Sequence, residues 1–530
     1  MGFLPLAAIK MTALLTFFKY SLSKRVLFLF AFGFLIRLIL AWLPEKYFYY
    51  LISDDAYYYF SIARNFVNRG MLSADGLTLT NGFHPLWLFV ITPVFFFFQK
   101  YPWFSVHLVL SLSAIFDTLA AFLIYKTLEK LGKEKVGFWA AAFYLVNPWG
   151  LLHTMNGLET AQNNFFLAVL VYLSVRANTE WLKTNGFSFG AVCGLALLSR
   201  TDNVFVVAVL LGYILWRERS FDSLIKPVAV SLAVVLPWLV FNYAAFGTVV
   251  QTSGTAYPWM YHQSYLNKFK TYFSTEFIPY LLKNSFISVA ANAHHYGDWT
   301  ITSVVAIALL FRLRKWPVKY RPLLWTLLGS GIFVFFHLFI RWSVRPWYPQ
   351  SVFILTLPVV ALAVGKFHRY LAAIAAVFAL SISGWAVSDV KFLVAERSKV
   401  MLGLINEKIP PGDRVGAFNS GYVQYLTDKR VINLDGLVNN EVLDYYKKRK
   451  GLEYLRKRDI RWLVDQPFYI RMAFGKYFGP EAKGAFELVA TVSQIEYFKN
   501  DVFAIAVLPE GFHPPPDLEV PIEFDSVAVE

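Results

Sequence analysis

The sequence predicts an α-helical polytopic membrane protein, with about eleven transmembrane helices followed by a soluble α/β domain. Three observations predict this architecture. Hydrophobic residues make up 57% of the 530 positions and charged residues only 16%, whereas soluble domains are about a quarter charged. Long apolar segments recur along residues 1–390, with basic clusters between them. From Lys391 onwards the chain is charged and rich in turns, and its apolar runs are short.

The apolar segments define the predicted spans. They are Val26–Leu43, Phe104–Tyr125, Phe138–His153, Asn163–Val175, Phe187–Leu198, Val204–Trp216, Val228–Phe246, Ile301–Phe311, Leu323–Ile340, Val352–Val364 and Leu371–Val387. Several are shorter than the roughly 20 residues that cross a bilayer. The apolar segment Leu86–Phe98 is shorter still, which favours a re-entrant or interfacial helix.

The basic clusters predict the orientation of these spans, because cytoplasmic loops carry an excess of lysine and arginine. If Leu86–Phe98 does not cross, the amino terminus and nearly every basic cluster between spans lie on the cytoplasmic side. The polar motifs described below then lie on the opposite face. We therefore predict a membrane domain over residues 1–390, with its first outer loop at 44–103, and an extracytoplasmic α/β domain over 391–530. The net charge of +15 reflects this topology rather than binding to nucleic acid.

The carboxyl-terminal segment alternates short apolar runs with helical stretches. The runs Arg414–Ala417, Val431–Leu434 and Arg461–Val464 are separated by stretches such as Glu441–Arg449. This alternation predicts a small α/β domain. The single cysteine of the chain, Cys193, excludes an intramolecular disulfide.

Ser53-Asp54-Asp55-Ala56 is the most informative motif, since it follows closely on the first predicted span. Ionisable residues at a membrane face are costly and usually functional. A carboxylate there can act as the general base that takes a proton from an attacking hydroxyl group. Adjacent side chains diverge, so one aspartate faces the acceptor and the other holds an arginine or a divalent cation (Mg, Mn or Ca), which the sequence leaves open. The alternative is a helix cap.

Two candidate binding residues follow in the same loop. Arg64 lies on the predicted amphipathic interfacial helix Tyr57–Asn68, where it pairs with an aspartate or a phosphate, or extends to the interface as a snorkelling side chain. His84 lies in the turn Thr80–Trp87, before a proline that starts the short apolar segment. It either binds the acceptor or leaving phosphate, or fixes the loop.

Three further motifs lie at the outer ends of spans. Glu159, in Asn156-Gly157-Leu158-Glu159-Thr160, either binds sugar hydroxyl groups or caps the next helix. Arg200 and Asp202 are candidates for the same pocket or form a structural ion pair. The stretch Arg341–Tyr348 combines two arginines with aromatic rings. Arg341 or Arg345 would bind phosphate beside Tyr348, or the stretch is an aromatic belt.

Signals for nucleotide or zinc chemistry are missing from the sequence. It contains no Walker lysine loop, no G-x-G-x-x-G fingerprint and no His/Cys spacing typical of zinc sites. Use of a nucleotide is therefore unsupported.

Taken in chain order, the motifs resemble GT-C membrane glycosyltransferases, in particular the branch that includes actinobacterial cell-wall arabinofuranosyltransferases. In that branch an Asp-Asp-Ala-Tyr segment leads into an arginine-containing helix, then Gly-x-x-Pro-Leu-Trp, Gly-Leu-Glu-Thr and Arg-x-Asp. This chain shows Asp54-Asp55-Ala56-Tyr57, Arg64-Asn65, Gly82-Phe83-His84-Pro85-Leu86-Trp87, Gly157-Leu158-Glu159-Thr160 and Arg200-Thr201-Asp202. The resemblance covers roughly the first 205 residues.

The resemblance implies a polyprenyl-phosphate sugar donor, a glycan, lipid or protein acceptor, and an inverting direct displacement outside the cytoplasm. Asp54 or Asp55 would be the base and Arg341 or Arg345 would stabilise the phosphate. Glu159 and Asp202 would shape the sugar or acceptor pocket. Three rivals are a transporter or flippase for lipid-linked sugars, a non-catalytic scaffold, and a lipid-phosphate hydrolase. Polar residues collected at one face and the lack of internal repeats favour the enzyme over the transporter.

Overall fold

The computed structural model describes residues 23–256, 259, 317–337, 345, 347–364, 391–482, 484–492 and 502–507. Within these residues, helices form the part before residue 365 and a five-stranded sheet forms after residue 413. The predicted spans Ile301–Phe311 and Leu371–Val387, and Arg341, lie outside the described residues.

The helices of the amino-terminal part are numbered in chain order. They are α1 (Lys24–Ala41), α2 (Phe48–Leu51), α3 (Asp54–Arg69), α4 (Pro85–Phe98), α5 (Pro102–Lys130), α6 (Glu134–Val146), α7 (Pro148–Thr154), α8 (Thr160–Arg176), α9 (Thr179–Ser199), α10 (Val204–Glu218), α11 (Asp222–Phe246), α12 (Arg321–Phe335) and α13 (Pro349–Val364).

Local sequence explains where several helices begin and end. The Ser23 hydroxyl accepts the backbone N–H of Val26 and caps α1. Helices α4 and α5 begin with a proline, which suits the first turn because its N–H would be unpaired there. Helix α3 ends at Gly70 with φ of +66°, a left-handed conformation that glycine adopts without steric cost.

Two of the described helices are long and apolar enough to cross a bilayer, namely α5 with 29 residues and α11 with 25. At the helical rise per residue, α5 is roughly 43 Å long, and the hydrocarbon core of a bilayer is about 30 Å thick. Helix α4 is among the shorter apolar helices. The count of about eleven spans and the re-entrant or interfacial placement of α4 stay predictions.

One predicted span is divided in the structure. Phe138–His153 was expected to be one segment, but it contains the end of α6 and most of α7. Asn147 leaves the helical conformation, with φ of −67° and ψ of 113°, and its side chain caps α7 by accepting the N–H of Trp149. Pro148 has no N–H to continue the ladder of α6, so the break is where the Asn-Pro pair requires it.

A buried ion pair joins α1 to α5. Arg37 donates to Asp117 at 2.6 Å, and both side chains are excluded from solvent. The Arg37 guanidinium also donates to the carbonyls of Gly33 and Leu145, and Tyr144 donates to Asp117 at 2.6 Å. These contacts are within the helix bundle and position its helices; the sequence analysis did not single them out.

The carboxyl-terminal part builds a mixed sheet from five strands. Its helices and strands are α14 (Lys391–Lys408), β1 (Arg414–Ala417), α15 (Gly421–Leu426), β2 (Arg430–Asn433), α16 (Asn440–Lys447), α17 (Gly451–Lys457), β3 (Ile460–Asp465), α18 (Pro467–Lys476), β4 (Phe486–Val492) and β5 (Val502–Val507). The strand order is β2-β1-β3-β5-β4, with the first three strands parallel and β5 antiparallel to both neighbours. Strands β1 to β3 overlap the predicted apolar runs, whereas β4 and β5 were not predicted.

One hydrophobic cluster connects the two parts of the chain. It contains residues of α3 and α4 together with residues of α14, β1 and α15. Tyr57 on α3 lies at 5.2 Å from Tyr422 and 5.8 Å from Tyr425, measured between ring centroids. The helix that begins with the aspartate pair is therefore packed directly against the carboxyl-terminal part.

Candidate active site

A cavity of about 530 Å³ collects most of the side chains that the sequence singled out. Its walls come from α3, the turn before α4, the turn before α8, the segment between α9 and α10, helices α10 and α11, the segment after α11, the residues Phe336, Arg345, Trp347 and Tyr348, and a carboxyl-terminal loop. The predicted site residues that line it are Asp55, His84, Glu159, Arg200, Asp202, Arg345 and Tyr348. Asp54 and Arg64 lie elsewhere.

The two adjacent aspartates have different surroundings. The Asp54 carboxylate accepts the backbone N–H of Gly421 at 3.1 Å and that of Tyr422 at 2.9 Å. It therefore caps the first turn of α15, a helix far along the chain, rather than its own helix. Asp55 faces the cavity. The two side chains diverge as expected, but Asp54 holds backbone N–H groups rather than the predicted arginine or cation, and the roles of the pair in catalysis stay predictions.

The environment of Asp55 changes its proton affinity. Burial raises the pKa of Asp55 above the ordinary value, and the negative charge of Glu159 adds to this effect. The positive charge of Arg345 acts in the opposite direction and lowers the pKa. Arg345 is thus the cation that favours the ionised, basic form of Asp55.

Gly157 allows the Gly-Leu-Glu-Thr turn to pack closely against the helix that carries Asp55. Gly157 adopts φ of +82°, and a side chain there would approach the Ala56 methyl group to 3.0 Å. The indole N–H of Trp87 donates to the Gly157 carbonyl at 3.0 Å, and the N–H of Ser53 donates to the Asn156 carbonyl at 3.1 Å. The Gly-Leu-Glu-Thr turn therefore packs between α3 and α4, which brings Glu159 towards Asp55.

Arg200 forms the centre of a buried charge network. It donates to Glu159 at 2.8 Å and to both oxygens of Asp202, at 3.0 and 2.6 Å. Its guanidinium lies 4.3 Å from the centroid of the Tyr348 ring, a cation–π distance. The predicted Arg–Asp ion pair is present, and the same arginine also fixes Glu159 at the cavity.

The Asp202 carboxylate has a third hydrogen bond, to the Nε2 atom of His337, at 3.0 Å. Burial alone would raise the pKa of Asp202, but the charge of Arg200 and the hydrogen bond from His337 outweigh it and hold the pKa well below its usual range. Asp202 is therefore a carboxylate held ionised by its partners, which suits a structural or binding role better than that of a general base.

Glu159 also connects to the His84 turn. The Tyr59 hydroxyl donates to Glu159 at 3.0 Å and accepts the backbone N–H of His84 at 2.9 Å. The Nε2 atom of His84 lies 3.7 Å from Glu159. Glu159 forms no capping hydrogen bond at the start of α8, so the contacts of its side chain are those of a cavity residue rather than a helix cap.

Arg64 contacts the carboxyl-terminal part and does not line the cavity. Its guanidinium donates to the Tyr425 carbonyl at 3.1 Å and lies 5.0 Å from the centroid of the Tyr425 ring. These contacts join α3 to α15, beside the Asp54 contact. Arg64 is placed as a docking residue, and its predicted role in substrate binding has no support from these contacts.

A carboxyl-terminal loop forms part of the cavity wall, which the sequence analysis did not predict. Leu437 and Val438 line the cavity. Next to them, the Tyr58 hydroxyl accepts from the Asn433 amide at 2.9 Å and from the Ser420 N–H at 3.3 Å. The Asp435-Gly436 pair that follows β2 is the local signal that could have identified a tight turn here.

Tyr59, Gln251 and His337 were also missed. Gln251 lines the cavity and donates to the Phe83 carbonyl at 2.7 Å. Their roles depend on contacts with distant residues, so no local pattern marks them.

A metal cluster is not evident in the part of the chain that the structure describes. In these residues no group of three or more His, Cys, Asp and Glu side chains is arranged to hold an ion. Asp54 already accepts two backbone N–H groups, which leaves Asp55 as the aspartate of the pair that faces the cavity. The divalent cation stays a prediction.

Two regions of the chain match known family patterns. Residues 85–241 match the family described as dolichyl-phosphate-mannose-protein mannosyltransferase. Residues 391–506 match a domain of unknown function. No curated protein matches the chain significantly.

Solved structures share the fold. The crystal structure of ArnT from Cupriavidus metallidurans bound to undecaprenyl phosphate matches with a TM-score of 0.54 and 12% identity, covering 93% of this chain and 100% of that one. The oligosaccharyltransferase of Archaeoglobus fulgidus, tethered to an acceptor peptide, matches with a TM-score of 0.51 and 13% identity, covering 92% of this chain and 75% of that one. The chain therefore has the GT-C fold, whereas the arabinofuranosyltransferase branch stays a prediction.

Proposed function

We propose that this protein is a GT-C glycosyltransferase that transfers a sugar from a polyprenyl-phosphate donor to a hydroxyl group of a glycan, lipid or protein acceptor. The observation that carries the proposal is the placement of Asp55 and Arg345 in one cavity, close enough for the arginine to lower the pKa of the aspartate. Transfer needs both a base for the acceptor proton and a cation for the leaving phosphate. The GT-C fold and the match to a mannosyltransferase family over residues 85–241 support this assignment.

In the proposed reaction, the acceptor displaces the phosphate directly, with inversion at the anomeric carbon. The acceptor oxygen attacks the anomeric carbon while Asp55 takes the hydroxyl proton. The bond between that carbon and the phosphate oxygen breaks, and its electron pair leaves on the polyprenyl phosphate. Arg345 stabilises the added negative charge, whereas Arg200 is held by Glu159 and Asp202 and serves mainly to shape the pocket.

The distribution of charge supports an extracytoplasmic site. Basic loops meet at one end of the bundle, where Lys319 donates to the Leu131 carbonyl at 3.0 Å and Arg217 donates to the Ala177 carbonyl. The other end of α5 contacts the carboxyl-terminal part, through Tyr425 and the Pro102 carbonyl. By the positive-inside rule, the basic end is cytoplasmic, so the cavity and the carboxyl-terminal part lie outside.

Transfer by the purified protein tests the proposal. Wild type and Asp55→Asn, reconstituted in lipid, are incubated with radiolabelled undecaprenyl-phosphate sugars and a cell-envelope extract as the acceptor. Label in the acceptor with wild type, and not with a variant of unchanged thermal stability, supports the transferase. Label carried into sealed vesicles would instead identify a transporter, and label released as free sugar would identify a hydrolase.

A further inference from the structure

The loop Asp435–Val438, between β2 and α16, has a fixed shape. The Asp435 carboxylate accepts the N–H of Leu437 at 2.8 Å, and the Asn433 side chain accepts the N–H of Gly436 at 3.1 Å. Gly436 adopts φ of +76°, and a side chain there would overlap that of Leu443. Turn contacts and a required glycine therefore hold the loop in one conformation.

The loop is in direct contact with the turn that carries His84. A Cβ atom on Gly82 would lie 1.8 Å from the Leu437 carbonyl oxygen, so the two backbones touch and only glycine fits. Close to this contact, Asn440 donates to the Asn81 side chain at 3.1 Å. The loop is thus fixed to the predicted first outer loop.

Two of its residues border the cavity. Leu437 and Val438 line it together with Asp55. Other apolar lining residues, Val204 and Leu239, belong to α10 and α11. Leu236 and Val240 of α11 are exposed, and an exposed apolar helix face is a surface that a lipid donor would contact. The loop belongs instead to the carboxyl-terminal part, which the proposed function places outside the bilayer, on the side from which a hydroxyl-bearing acceptor would arrive.

We propose that the loop Asp435–Val438 is a wall of the acceptor subsite, so that the carboxyl-terminal part takes part in the transfer reaction by selecting the acceptor. This inference rests on the proposed function and gives a role to the region matching a domain of unknown function. Because the wall is apolar, it suits a neutral hydroxyl-bearing acceptor with a C–H face that can pack on Leu437 and Val438, as a sugar ring can.

Two-substrate kinetics test the inference, with an undecaprenyl-phosphate sugar as the donor and soluble envelope glycan as the acceptor. We expect Val438→Ala, and independently Gly82→Ala, to raise the KM for the acceptor about tenfold, while the Kd for undecaprenyl phosphate changes less than about twofold. Matched controls are Val442→Ala, a buried valine of the same region outside the cavity, and Gly212→Ala, where a Cβ meets no atom within 4 Å. Neither should change the two constants.

Other outcomes overturn the inference. If folded Val438→Ala and Gly82→Ala both keep the wild-type acceptor KM, the loop is not part of the acceptor subsite. If the two variants weaken undecaprenyl phosphate binding as much as acceptor use, the loop belongs to the donor subsite. If the wild type itself fails to bind undecaprenyl phosphate, the proposed function is wrong. This result is distinct from failure of the further inference, because it is seen in the wild type and needs no variant.

Discussion

The carboxylate of Asp54 accepts the backbone N–H of Tyr422 at 2.9 Å, although 368 positions separate the two residues. Its neighbour Asp55 faces the cavity. One aspartate of the motif therefore connects α3 to the carboxyl-terminal part, and the other is available for chemistry. This contact, with those of Tyr58 and Arg64, makes the position of Asp55 dependent on how the carboxyl-terminal part docks.

The first prediction separates the two aspartates. Asp55→Asn removes the proposed base, so transfer should fall about 100-fold or more without a loss of thermal stability. Asp54→Asn should instead weaken hydrogen bonds to the α15 amides and lower the free energy of unfolding by about 1–3 kcal/mol. Transfer assays and thermal unfolding in detergent measure the two effects. The reverse pattern would make Asp54 the base.

The second prediction concerns the docking of α15. In Gly421→Ala the new Cβ atom would lie 2.1 Å from the Asp54 carbonyl oxygen, so α15 must move away from α3. We expect faster proteolytic cleavage within the carboxyl-terminal part and lower transfer activity. Gly403→Ala, in α14, is the control, because nothing lies within 4 Å of its Cβ position and alanine favours a helix by about 0.5–1 kcal/mol over glycine.

The third prediction concerns Arg200. Arg200→Gln leaves the buried carboxylates of Glu159 and Asp202 without their shared cation. Breaking such a pair costs about 3–5 kcal/mol, so we expect a large fall in unfolding temperature. Arg217→Gln is the comparison, since Arg217 pairs with the partly exposed Glu218 and such pairs contribute about 0–1 kcal/mol. Equal losses in the two variants would show that the Arg200 network does not stabilise the fold.

The fourth prediction is a shift in the pH profile of transfer. Activity requires ionised Asp55, so it is lost as the pH falls through the raised pKa of this residue. Arg345 lowers that pKa, and Arg345→Gln should therefore move the acidic limb of kcat/KM to higher pH. Arg461→Gln, at an exposed arginine of the carboxyl-terminal part, should leave the limb in place. An unmoved limb in Arg345→Gln would mean that this arginine does not act on the base.

The fifth prediction concerns stability and Asp435. Burial raises the pKa of Asp435 to about 8; the Leu437 N–H opposes this, and the negative charge of Asp55 adds to it. Folded protein then keeps a proton that the unfolded chain releases near the ordinary value of 3.8. The resulting stabilisation is complete below that value and is lost as the pH rises through about 8.

Asp435→Asn removes this pH dependence, because an amide does not titrate. Its oxygen can still accept the Leu437 N–H, so the turn should keep its shape. The unfolding temperature of wild type should fall relative to that of the variant between about pH 4 and about pH 8, and the difference should level off above that. Tyr58, Asp54 and Asp55 on α3 and Tyr446 on α16 also face Asp435 and are unchanged in the comparison. Asp444→Asn, at an exposed aspartate, controls for loss of charge. Parallel curves for wild type and Asp435→Asn would contradict the prediction.

Local sequence determined much of this protein. Apolar segments predicted the helices that match α1, α5 and α8 to α13. The helical spacing of Tyr57–Asn68 predicted α3, observed as Asp54–Arg69. The charged, turn-rich composition after Lys391 also predicted a region with strands, and the first strand begins at Arg414. Polar residues at the ends of apolar segments identified most of the cavity, because such residues are costly near a membrane unless they are used.

Tertiary structure alone decided which of these residues act together. Neighbouring side chains on a helix diverge by about 100°, so the sequence indicates that one aspartate of the pair faces the cavity but cannot choose between them. The partner of Asp54 on α15 makes that choice, just as His337 fixes Asp202. The contact between Gly82 and Leu437 likewise has no local signal. Each of these depends on packing between segments far apart in the chain, which hydrophobic periodicity and short motifs do not encode.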